Sequence, residues 1–304
     1  MHAADHRPKL LRRLALACLL LLVAVTCLSA FMRHSAAGLG CATWPACFGQ
    51  GERAATAGAL VVGGQALTVA RAAHRITATL SLLLIIAMGV VCFTTRPRPR
   101  HDSWLSLTLL LLALSLALLG VFTPGSRLPA VAMGNLLGGF AMLAVAARLV
   151  GAPQRRGLGV GAIVVAALLL VQAASGALVS ASQAGLACSD LRECFSQAQA
   201  SGWDWRALDP WRVAGFAVGT PHVEGALAQV LHRVGSAVVA AAVAALGVQA
   251  MRHGRAREGW AVLLLLASEV ALGLAIGSTG LPLVPVLLHN LGTALLLAMV
   301  LRLA

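Results

Sequence analysis

The chain has 304 residues, of which 59% are apolar and only 11% charged, and its mean hydropathy is +0.87. So little charge leaves a soluble globule of this size without a solvated surface, and a bilayer is the natural solvent. The net charge of +13 does not point to nucleic acid: the arginines are dispersed between apolar runs, no basic stripe carries interleaved aromatics, and tyrosine is absent.

Arg7, Lys9, Arg12 and Arg13 precede a first apolar run from Leu14 to Ala30. Its length is nearer a spanning helix than a secretory apolar region, and no clean small-residue cleavage site precedes the next polar stretch, so it reads as an uncleaved first span. A long polar loop, Met32 to Arg71, carries Gly38-Leu39-Gly40-Cys41-Ala42-Thr43-Trp44-Pro45-Ala46-Cys47-Phe48-Gly49. The second run, Ala72 to Thr94, begins near His74-Arg75; the third spans Trp104 to Phe122; the fourth, Pro129 to Val150, holds Asn135 and ends near Arg148. A fifth run from Leu158 to Ser180 leads into a second long loop, Ala181 to Glu224, with Cys188 and Cys194. The sixth, Gly225 to Ala250, contains Leu231-His232-Arg233; the seventh is Trp260 to Ser278; the eighth, Leu283 to Leu303, contains Leu288-His289-Asn290-Leu291-Gly292. Each run is near the ~20 residues a helix needs to cross, and inside a bilayer the backbone must satisfy its own hydrogen bonds, so all eight are expected as helices.

Orientation follows from the cations. Arg7, Lys9, Arg12, Arg13, Arg96, Arg98, Arg100, Arg148, Arg155, Arg156, Arg252, Arg255, Arg257 and Arg302 lie in short segments at one set of ends. The positive-inside rule places these ends and both termini in the cytoplasm, and the two long loops on the outer face. Those loops repeat each other: Ala37 to Cys41, Cys47-Phe48 and Gln50 are echoed by Ala184 to Cys188, Cys194-Phe195 and Gln197 at a constant offset of 147. His74-Arg75 is echoed by His232-Arg233, and Asn135 and Arg148-Leu149 by His289 and Arg302-Leu303. Two units are therefore expected, residues 1–150 and 151–304, each of four helices with shared topology.

Cys41 with Cys47 and Cys188 with Cys194 share a C-x5-C spacing in outer loops, where an oxidising compartment favours disulfides. A metal site is the alternative, although neither loop supplies a companion His or Cys at ligand spacing. Cys18, Cys27 and Cys92 fall within helices as small apolar residues. Of the nine histidines, His2, His6, His101 and His253 read as solvated, and His34 and His222 as outer-loop residues open to either role. His74, His232 and His289 lie within about two turns of the outer ends of their helices. Ionisable residues at that depth tend to face the bundle interior with a partner. Interhelical hydrogen bonding is one reading of them. Two imidazoles at one depth on the second and fourth helices of a unit, His232 and His289, also suit the axial grip on a haem iron. Arg233, and Arg75 at the matching place, would then meet haem propionates as bidentate donors, or else snorkel to the interface.

With its loop motif, its His74-Arg75 and Leu231-His232-Arg233 helix starts and its Leu288-His289-Asn290-Leu291-Gly292 segment in order across nearly the whole chain, the sequence resembles the haem A synthase family. That resemblance implies an all-α integral membrane fold of eight transmembrane helices in two pseudo-symmetric four-helix bundles. It implies a bis-histidine haem b in the C-terminal half, with His232 and His289 matching its ligands. It implies haem O as substrate in the N-terminal half, oxidised at the C8 methyl group to the formyl group of haem A, with His74 matching one of two histidines there. Two positions depart from the family pattern: the usual acidic residue three before the first histidine is Arg71, and the second N-terminal histidine is Asn135, a poor iron ligand. Glu52 and Glu224 are the nearest substitute acids. The departures keep a second reading open, a non-catalytic membrane haem b-binding relative for electron transfer or haem handling. A transporter is the third, weakened by the few charges within the spans. Expected partners are haem O synthase, oxidase assembly factors and the lipid bilayer of a bacterial-type inner membrane, with no nucleic acid; the sequence leaves a homo-oligomer open.

Overall fold

The structure, a computed structural model, describes residues 7–37, 65–95, 99–123, 126, 128–151, 158–182, 184–212, 225–279 and 281–304. Among these residues all regular structure is helical: α1 (Arg7–Ala37), α2 (Gln65–Thr94), α3 (Arg100–Phe122), α4 (Pro129–Val150), α5 (Val160–Ala181), α6 (Leu191–Ala200), α7 (Ala226–Arg252), α8 (Ala256–Thr279) and α9 (Leu283–Leu303), with short 3-10 turns at Ala184–Leu186 and Trp205–Leu208. All but α6 are long and apolar enough to cross a bilayer, which makes this a multi-pass membrane protein. Many large apolar side chains, such as Leu118, Val121 and Leu264, stay exposed on the helix flanks, as expected where lipid is the solvent.

The helices outrun the apolar runs that announce them. α1 starts at Arg7 and reaches Ala37, and α2 starts at Gln65, because backbone hydrogen bonding continues past the residues whose hydropathy marks the span. One consequence corrects the expectation that His34 lies in a loop: it is in the last turns of α1, and buried.

Within the first half α1 packs on α2, α2 on α3, α3 on α4 and α4 on α1; within the second, α5, α7, α8 and α9 close a ring in the same order. In each ring the second and fourth helices stand diagonally. The halves meet through α4 and α9, with α1 against α9 and α4 against α5. Leu136, Phe140, Leu143 and Ala144 of α4 share one apolar core with Leu169, Val243, Leu297 and Val300 from the second half. At the far end of this seam Arg148 donates to the carbonyl of Leu301 at 2.8 Å, and Arg255 to that of Arg302 at 3.1 Å. Both guanidiniums thus satisfy carbonyls that the end of α9 leaves without an intrahelical donor, where the helix dipole also favours a cation.

The connection after α5 is ordered by its own chemistry. Cys188 and Cys194 are disulfide-bonded, as the spacing predicts, with Cα atoms 5.1 Å apart. Asp190 caps α6 by accepting from the Glu193 amide at 2.8 Å, a contact worth about 1 kcal/mol. Gln229 of α7 holds the preceding turn by donating to the carbonyls of Ala184 and Gly185 at 2.9 and 2.8 Å. The connection also crosses to the first half, where the Ala130 amide of α4 donates to the Pro210 carbonyl. Cys41, Cys47, Glu52, His222 and Glu224 lie outside the described residues. Cys18 and Cys92 are buried within helices, and His101 and His253 are exposed, as expected.

Candidate functional site

His232 is the seventh residue of α7 and His289 the seventh of α9, so both stand two turns from the end that the long connections join. α7 and α9 are diagonal in the second ring. Both imidazoles are partly buried.

The surroundings of each ring decide which nitrogen is spent on the protein. His232 Nδ1 lies 2.9 Å from Gln172 Nε2 and 3.0 Å from Ser175 Oγ, both on α5. Gln172 Nε2 also donates to the His232 carbonyl at 2.9 Å, and Ser175 Oγ donates to the Gln172 carbonyl at 2.8 Å. With its own proton given away, Ser175 Oγ can accept from an Nδ1–H, which leaves the free pair of the ring on Nε2; the Gln172 amide nitrogen only donates and suits the opposite tautomer, with the proton on Nε2. The helices approach closely here: a Cβ at Gly176 would come within 2.8 Å of His232 Cε1, and one at Gly235 within 2.7 Å of Gln172 Oε1.

His289 Nδ1 faces a different partner. Oε2 of Glu269, a carboxylate on α8 that is only 7% exposed, lies 3.1 Å away, at ion-pair distance but off the angle of a hydrogen bond. Thr293 Oγ1, one turn after His289, is 2.7 Å from the same Oε2 and 2.9 Å from the His289 carbonyl, its single proton shared between them. Among the described residues no protein hydrogen bond engages Nε2 of either ring. With Nε2 of both rings unengaged by the protein, the pair is a donor set that would suit an iron porphyrin held on both faces, and neighbours such as Gln172, Ser175 and Glu269 are the kind that orient such ligands. Glu269, Gln172 and Ser175 are site residues that the sequence reading passes over.

Arg233 lies beneath the disulfide-bonded turn, donating to the carbonyls of Cys188 and Ser189 at long distances of 3.3 and 3.4 Å. In the first half His74 is half-buried on α2, and Arg75 and Arg71 are exposed. Asn135 is half-buried on α4, the helix diagonal to α2. Arg33 of α1 comes within electrostatic reach of His74. It also donates to Ser29 Oγ at 2.8 Å and, across the seam, to Asn290 Oδ1 at 2.9 Å, next in the chain to His289. Among the described residues no carboxylate pairs with Arg33.

A family model for cytochrome oxidase assembly protein matches residues 12–301. The chain is also similar to a protein of Shewanella oneidensis named haem A synthase, with 27% identity over 299 residues that cover 90% of this chain and 89% of that one.

Proposed function

Because the chain belongs to the cytochrome oxidase assembly protein family, we propose that it is a haem A synthase-type membrane monooxygenase that oxidises the C8 methyl group of haem O to the formyl group of haem A. The observation that carries this reading is the pair His232 and His289, at the same position along diagonal helices, with no protein hydrogen bond on Nε2 of either ring among the described residues. In this reading residues 151–304 form the haem b half and residues 1–150 the substrate half, each a four-helix bundle related to the other by pseudo-symmetry. The repeated order of helix neighbours in the two rings supports that division.

Iron held between His232 and His289 would supply one-electron transfer to the substrate half. The chain's own residues bind and orient. Gln172 and Ser175 would fix the rotation of one imidazole, Glu269 and Thr293 the setting of the other, and Arg233 and Arg75 would pair with the acidic groups of a porphyrin. His74 serves as the iron-side residue for haem O. The cation distribution supports cytoplasmic termini in a bacterial-type inner membrane with the site on the outer side. A haem O synthase is the partner whose product this reaction consumes, together with oxidase assembly factors.

The test is expression of the full chain beside a haem O synthase in cells that make no haem A. Extracted haem A supports the enzyme; stable protein with haem O alone rejects it. That second outcome is favoured by one observation, an amide at Asn135 where a facing imidazole would stand, and it would leave a non-catalytic haem b-binding relative.

A further inference from the structure

Glu269 is a carboxylate in the middle of a membrane-spanning helix, buried, and placed within 3.1 Å of one imidazole nitrogen. An ionisable side chain at that depth is costly and is retained where it has a partner and a task. No basic side chain other than His289 pairs with it among the described residues, and its second oxygen, Oε1, has no hydrogen-bond partner. The chain also makes room for it. A Cβ at Gly292 would overlap Glu269 Oε1, so the glycine that closes the Leu288 to Gly292 motif is the residue whose missing side chain admits the carboxylate. Gly292 stands one turn beyond His289 on α9, so histidine, cavity and acid form one local construction.

The other imidazole lacks this partner. His232 Nδ1 meets an amide and a hydroxyl, both neutral. The two rings that look equivalent by position are therefore electronically unequal.

We propose that Glu269 is a positioning residue that sets the reduction potential of the haem. Its carboxylate sets a negative charge 3.1 Å from Nδ1 of His289, which makes Nε2 a stronger donor and holds the iron in favour of the ferric state. Thr293 moderates that pull by donating its hydroxyl to the same oxygen. The inference rests on the ligand assignment made above for His289, and the experiment separates the two.

The measurement is a redox titration of the haem in the purified full-length protein, read by its visible spectrum. Glu269→Gln keeps the shape and removes the charge: the low-spin spectrum persists and the midpoint rises, with at least a tenfold gain in the reduced-to-oxidised ratio at the wild-type midpoint, ~59 mV for one electron. Thr293→Val frees the carboxylate and moves the midpoint the opposite way, a reversal that simple loosening of the site would not produce. An unchanged midpoint in Glu269→Gln with the spectrum intact overturns the proposal. Should that variant fail to accumulate, Thr293→Val decides: a downward shift supports the proposal, and an upward or absent one overturns it. His289→Ala is the control for the underlying assignment. If it keeps a low-spin spectrum, the ligand reading falls; if it loses the spectrum while Glu269→Gln leaves the midpoint in place, only the role of Glu269 falls.

Discussion

The two halves of this protein set the same kinds of helix in the same ring and then furnish them differently. In the second half the diagonal helices carry His232 and His289, each with a protein partner on Nδ1. In the first half the diagonal helices carry His74 and Asn135, and the cations Arg33, Arg71 and Arg75 lie on the same helices or their neighbour. The scaffold is thus indifferent to which chemistry it bears. On the function proposed above, what would distinguish a half that grips a ligand permanently from one that admits and releases it is the number of imidazoles and how firmly each is held. One imidazole would leave an iron with an open side, which suits turnover; two would leave none, which suits electron transfer.

Several changes would break or sharpen that contrast. The largest effect is expected from His232→Ala or His289→Ala, which should abolish the low-spin b-type spectrum of the purified protein, while His74→Ala leaves it at full amplitude. Loss in all three would dissolve the division between the halves. Next is Gly176→Leu, whose side chain would drive into the His232 ring and should lower haem content at least tenfold. Gly89, whose Cβ would meet nothing within 4 Å, is the matched control, and Gly89→Ala should leave haem content unchanged. Asn135→His asks whether the first half can be made like the second: a second low-spin component in the spectrum is the expected gain.

Smaller effects concern the connection between α5 and α7. Replacing Cys188 and Cys194 by serine should cost about 2 kcal/mol, the entropy of closing a short loop, and appear as a lower Tm in detergent under non-reducing conditions. Smallest is an acid effect at Glu193, an exposed carboxyl that the Ser189 hydroxyl and amide hold below its ordinary range. A group with a lowered folded pKa stabilises fully above its unfolded value, ~4.3, and loses that contribution as pH falls through the lower folded one. Amide protection in α6 should therefore be steady near neutrality and fall only in acid, and Ser189→Ala should move the fall to higher pH.

How much of this was visible beforehand depends on what each feature's signal is made of. The spans were legible because each is a continuous apolar run, and two of them, Pro129–Val150 and Leu283–Leu303, end where the composition changes. His34 falls outside the apolar run because a polar residue at the end of a run looks like a loop, whereas the helix continues through it. His232 and His289 stood out as ionisable residues at matching depth. Glu269 obeys the same rule but has no local signal in its run, since its partner is on another helix 20 residues on. Gln172 and Ser175 carried a fainter signal, two polar residues three apart on one face of an apolar helix. Gly292 is legible as part of a motif, but its reason, an acid reaching in from α8, exists only in three dimensions.

The hydrogen bond from Arg33 to Asn290 has a practical consequence. Although the sequence reads as a duplication, the first helix of one copy is fastened to the residue beside a histidine of the other. Cutting the chain between the copies would not yield two independent working pieces. On the proposed haem b reading, a perturbation introduced on α1 should instead report itself in the visible spectrum of the opposite copy.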